Sequence, residues 1–84
     1  MNNDEIEFDF KKLRIKIFEV CEKQDIFAKK IGMSHVSLSK RLNNHLEFSS
    51  KEIKKCCKVL GIRDKEIPAY FFKLKVQKHE QQKV

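Results

Sequence analysis

The residues with the greatest chemical potential lie in one run, FAKKIGMSHVSLSKRL, residues 27–42. His35, Val36, Ser39 and Lys40 fall close together there, with Ser34 and Ser37 among them. A lysine can donate to guanine O6 or N7, and a valine can meet a thymine methyl. A neutral imidazole can donate or accept, and it changes charge near physiological pH. These groups suit base edges in a duplex groove, and a His35 contact would make binding pH-sensitive. They do not suit a hydrolytic centre. Ser34 and His35 are sequence neighbours, which is not a triad, and 84 residues leave little room for a deep pocket beside a core. No catalytic residue, cofactor or small-molecule ligand is expected.

Cys21, Cys56 and Cys57 are odd in number, two are adjacent, and no C-x-x-C occurs. That pattern is neither a secreted disulfide framework nor a zinc-ligand spacing. The three are expected to act as small buried hydrophobes, and no metal site is expected.

Several short helices must position these groups. Asp9 is placed to cap a helix from about Phe10 to Cys21. Its inward stripe is Leu13, Ile17 and Val20 or Cys21, widened by Phe10 and Phe18. A second helix is expected from about Gln24 to Ile31, with Phe27, Ala28 and Ile31 inward and Gly32 as its left-handed stop. Ser34 then caps a third helix, His35 to about Asn43, which buries Leu38 and Leu42 and leaves Val36 undecided. Ser49 and Glu52 form a capping box before a fourth helix that turns Ile53, Cys56, Cys57 and Leu60 inward and stops at Gly61. A short fifth helix starts at Asp64 or Ile67 and runs through Pro68, tolerable only in a first turn, to about Phe71.

The two ends alternate with period two. Ile6, Phe8 and Phe10 are separated by acids, and Phe72, Leu74 and Val76 are flanked by Lys73, Lys75 and Gln77. Opposite charge on the polar sides makes a β-pair within or between chains reasonable, with a continuing helix or a loose tail as the rivals. Residues 1–78 read as one domain, and residues 79–84 as a disordered tail.

Nineteen Lys and Arg face twelve Asp and Glu, a net charge of +7. Residues 1–9 contain four of the acids and no base, so residues 10–84 carry +11. Such an excess on a small domain suits a polyanion, nucleic acid above all, with a solvated lysine-rich surface as the plain alternative. The acidic amino terminus has no apolar core of a signal peptide, and no apolar run is long enough to span a membrane. A cytoplasmic location in a bacterial host is expected, with no membrane partner.

The helix pair has the marks of a DNA-reading helix-turn-helix. Ala28 lets the second helix approach, Gly32 supplies the turn, and Leu38 anchors the next helix while its polar face stays outward. These residues resemble the helix-turn-helix of the Cro/cI-type (XRE-like) repressors over Gln24 to Leu42, and in outline over Phe10 to Phe72. The ordered strings FDFKKLR, FAKKIGMSHVSLSKRLNN, FSSKEIKKCCKVLGI and EIPAYFFKLKVQK look like a narrower group, the short stand-alone phage Cro-like repressors of Gram-positive hosts.

The resemblance implies a mainly α, lambda-repressor-like five-helix bundle with its helix-turn-helix core at residues 24–43. It implies that His35, Val36, Lys40 and Ser39 reach base edges, Ser39 also falling where backbone contacts are usual. Gln24, Ser34, Ser37, Asn43 and Asn44 match positions that meet the DNA backbone, and Lys29, Arg41 and Lys51 are candidates for phosphate neutralisation, as is Lys30. Two residues depart from the pattern. Lys23 stands where the family usually has a Ser or Thr cap, and Arg41 stands where an apolar residue often packs. The implied function is sequence-specific repression of transcription by a homodimer, formed at least on DNA, on a double-stranded operator. A protein-interaction module, an antirepressor or host-takeover adaptor on the same scaffold, is the alternative.

Overall fold

The structure is a computed structural model that describes residues 6–76. Five helices follow in the expected order: α1 Lys11–Cys21, α2 Gln24–Lys30, α3 His35–Leu42, α4 Ser50–Leu60 and α5 Ile67–Phe71, the last preceded by a 3₁₀ turn at Asp64–Glu66. α1 packs against α2, α4 and α5, and α2 packs against α3. No helix among the described residues is long and apolar enough to cross a membrane.

The turn chemistry explains why the helices stop where they do. Gly32 has φ +73°. The Met33 N–H donates to the Ala28 carbonyl at 2.9 Å and the Gly32 N–H to the Lys29 carbonyl at 3.1 Å. This reciprocal pair closes the end of α2 as a Schellman motif, which requires a left-handed residue at that position. The Ser34 hydroxyl accepts from the Ser37 N–H at 3.0 Å and starts α3. Ser49 and Glu52 exchange both bonds of a capping box at the start of α4. At α1 the N-cap position falls on Phe10, which makes no side-chain cap bond, rather than on Asp9. The Asp9 carboxylate accepts from the Lys11 N–H at 2.9 Å from one residue upstream, and the helix begins one residue later than expected.

One core lies between the helices. Leu13, Phe27, Leu38 and Cys56 are wholly enclosed, surrounded by Ile17, Cys21, Ala28, Ile31, Leu42, Ile53, Cys57, Leu60 and Phe71. Phe8, Phe10, Phe48, Phe71 and Phe72 extend it as a chain of ring contacts 5.3–6.2 Å between centroids. That chain joins both ends of the described segment to the α3–α4 connection. Phe18 does not widen the inner stripe of α1: it is 67% exposed, and Cys21 rather than Val20 completes the buried face. Ile15, Phe18 and Val20 put apolar side chains on the outside of α1 too, so periodicity alone did not single out its inner face.

The terminal segments pair within the chain, as one antiparallel bridge between Phe8 and Leu74 rather than as strands. Asp9 N–H donates to Lys73 O at 2.7 Å and Lys75 N–H to Glu7 O at 3.0 Å. The expected charge match is present: Lys75 Nζ lies 3.1 Å from Glu7 Oε1. The tail assigned to residues 79–84 lies outside the described residues, as do residues 77 and 78.

Candidate nucleic-acid interface

α3 is eight residues long, about 12 Å at 1.5 Å per residue. Its buried side is Leu38 and Leu42. At about 100° per residue, His35, Val36, Ser39, Lys40 and Asn43 share an arc of about 140° on the other side. His35, Val36, Lys40 and Asn43 are exposed and Ser39 is half-buried. The side chains of His35 and Lys40 form no hydrogen bond or ion pair among the described residues and are exposed. Val36 is 64% exposed, which places it in the outward arc and not in the core. Ser39 Oγ accepts from Asn43 Nδ2 at 3.4 Å. The four expected base contacts are thus brought together on one short helix.

The expected backbone contacts divide into two sets. Ser34, Lys29, Lys30 and Lys51 are exposed and Gln24 is half-buried at the start of α2, where Lys23 offers no side-chain cap. Ser34 keeps its hydroxyl on the Ser37 N–H. Arg41 and Asn44 are instead half-buried and bonded within the protein, while the exposed Asn43 bonds Arg14 and Ser39. Arg41 Nε donates to Glu52 Oε1 at 2.9 Å and Nη2 to Oε2 at 3.1 Å, while Nη1 donates to the Ser37 carbonyl at 3.0 Å. Its side chain is only 16% exposed. The departure at this position therefore has a physical account: the guanidinium lies along α3 and grips the first turn of α4, so its fork serves α3 before it serves any phosphate.

Asn44 has φ +65° and its carboxamide holds both backbone groups of Phe8, accepting from the N–H at 2.9 Å and donating to the carbonyl at 3.0 Å. Arg14 Nη2 donates to the Leu42 carbonyl and to Asn43 Oδ1, both at 3.0 Å. A cation on the last carbonyls of a helix satisfies an acceptor and complements the helix dipole. The presentation of α3 thus rests on Arg14, Glu52 and Phe8, none of which sequence reasoning tied to α3. The Ser49-x-x-Glu52 spacing was visible, but nothing local marks the second carboxylate oxygen as the seat of Arg41.

Electrostatics fixes this bracket further. Burial is the largest single influence on Glu52 and raises its carboxyl. The Ser49 N–H, the Arg41 bonds and charge, and the Ser49 hydroxyl together outweigh it and hold the carboxyl below its ordinary value. Burial, then Cys57 and Glu52, push the Cys56 thiol up to about 12, and burial raises Cys57 as well. Both are thiols at neutral pH, which removes the reactive thiolate form. All three cysteines are buried and unbonded, and among the described residues no three His, Cys, Asp or Glu side chains gather as for a metal ion.

Comparison with known proteins places this geometry. A family model described as "Protein of unknown function (DUF739)" matches residues 6–74. No curated protein matches the chain. The fold is similar to the solution structure of the modulator of repression (MOR) of the temperate bacteriophage TP901-1 from Lactococcus lactis. That likeness has a TM-score of 0.71 at 37% sequence identity and covers 83% of this chain and 95% of that one. The likeness to a phage regulator agrees with the phage character implied by the sequence.

Proposed function

The chain belongs to the family described as Protein of unknown function (DUF739), and on that footing we propose that it is a phage regulator of transcription that reads duplex DNA through α3. His35, Val36, Ser39 and Lys40 would contact base edges. Gln24, Ser34, Ser37, Lys29 and Lys51 would meet the backbone, with Asn43 at the margin. The observation that carries this proposal is the outward arc of α3. It is polar and basic, it opens at a capped helix start, and it is held from behind by Arg14, Leu38 and Arg41. A rigid recognition helix with its N-terminal half presented is what the major groove admits. Two copies on one operator would set their α3 helices about 34 Å apart, one helical turn of DNA. Repression would follow from occluding a promoter.

A second reading is favoured by Val36. An exposed valine in the middle of this arc fits a protein surface as well as a thymine methyl. A relative described as a modulator of repression agrees with action on a partner protein as much as on DNA. Selection of the protein on random double-stranded DNA, followed by sequencing of the enriched pool, separates the two. A palindrome with half-sites one turn apart supports a dimeric reader. No enrichment by folded protein overturns the DNA reading and leaves the interaction module.

A further inference from the structure

We propose that the outer edge of residues 73–76 is a docking site for an extended segment of a partner protein in which apolar and acidic residues alternate. The site is separate from the α3 arc and does not rest on DNA binding. In the antiparallel bridge at Phe8 and Leu74, the two bonds between the segments use Asp9, Lys73, Lys75 and Glu7. The N–H and C=O of the central residues then point away from each other's strand. On one side, both such groups of Phe8 are held by Asn44. On the other, those of Leu74 make no hydrogen bond among the described residues. Phe8 is therefore paired on both sides, and because the Phe72 N–H closes the end of α5 on the Pro68 carbonyl, the open edge belongs to residues 73–76. An open edge is a template for one more strand.

The side chains state what that strand should carry. Phe72, Leu74 and Val76 share one face with Ile6, and all four are at least half exposed. Lys73 and Lys75 take the other face. Lys75 is matched by Glu7, whereas Lys73 has no ion-pair partner among the described residues. The inner edge already holds a segment of alternating apolar and acidic residues, Ile6 to Phe10, bridged at Phe8. The outer edge presents the same side chains in the same alternation. A second copy is the poorer match: antiparallel pairing about Leu74 sets Lys73 of each chain opposite Lys75 of the other, and like charges directly opposite are destabilising.

The test uses the full chain, isotope-labelled, titrated with a synthetic peptide of the sequence of residues 4–10, and with a control peptide in which its acids are replaced by lysine. The expected result is saturable binding of the acidic peptide alone. Amide shifts should be largest at residues 73–76, and the Leu74 N–H should exchange more slowly. Leu74→Pro removes the outward N–H without touching the Asp9 and Lys75 bonds, and should weaken binding about ten-fold or more. Lys73 is exposed, so Lys73→Glu should weaken it too, which covers the case in which the proline variant disturbs the bridge. Equal binding of both peptides, shifts confined to α3, or no binding would overturn the proposal. So would release of Phe8 from Asn44, which would mean strand exchange, or Leu74 shifts that grow with protein concentration alone, which would assign the edge to a second copy.

Discussion

The Asn44 carboxamide makes both backbone hydrogen bonds to Phe8 that a neighbouring strand would make, 2.9 Å from its N–H and 3.0 Å to its carbonyl. One side chain just beyond the end of α3 thereby takes the place of a neighbouring strand and ties the terminal segment to α3. Asn is also suited to the backbone there, since it tolerates left-handed φ better than other non-glycine residues. Asn44→Ala loses two bonds and strains the backbone, and should cost about 1–3 kcal/mol. Asn44→Gly relieves the strain but not the lost bonds. Thermal unfolding of both, with exchange of the Phe8 amide, checks this. If the Ala variant keeps wild-type stability and Phe8 protection, the bonds do not hold the segment.

The bracket between Arg41 and Glu52 carries a pH signature. Glu52 is held below its ordinary value in the folded chain, so its contribution is fully present above the unfolded value of about 4.3 and is lost as pH falls through the folded one. The stability difference between wild type and Glu52→Gln should therefore shrink on acidification from neutrality. Denaturant titrations at a series of pH values measure it. A difference that stays constant down to about pH 3 would mean that the carboxylate charge is not what joins α3 to α4.

Gly32 isolates a purely conformational cost. A β-carbon there would meet nothing within 4 Å, yet φ is +73°. Gly32→Ala should cost about 1–2 kcal/mol from backbone strain alone, and Gly32→Asn less. Chemical denaturation of the two decides. Equal stability of the Ala variant and wild type would show that the turn relaxes out of the left-handed region.

Legibility followed distance along the chain. The turn at Gly32, the cap at Ser34 and the box at Ser49 and Glu52 are built from residues within a few positions of one another, and their spacing states them outright. The terminal β-pair was readable as alternation and opposite charge, but not its extent, because one bridge satisfies what the pattern asks. The internal roles of Arg41, Asn44 and Arg14 were not legible, because the partner of Arg41 lies 11 positions away, Phe8 lies 36 from Asn44, and Asn43 lies 29 from Arg14. Phe18 misled for a different reason. The apolar residues of α1 run round more than one face, and only packing against α2, α4 and α5 selects between them.

The outward arc of α3 predicts that stability and recognition separate by residue. Lys40 is exposed, so Lys40→Gln should leave stability within about 0.5 kcal/mol. It should cost duplex binding about 1–3 kcal/mol and relax preference at one base position. Val36→Ala should blunt discrimination for a thymine at its site while leaving the salt dependence of affinity unchanged, because no charge is removed. Lys51→Gln should do the reverse, weakening binding evenly across sequences and reducing the salt slope by about one. Leu38→Ala, at a wholly enclosed position, should instead destabilise the fold by about 2–5 kcal/mol. Binding isotherms against a selected operator at several salt concentrations, alongside unfolding of each variant, test the set. If Lys40→Gln and Val36→Ala bind duplex as wild type does, α3 is not the reading helix. If Val36→Ala instead loses a protein partner, the arc is a docking face.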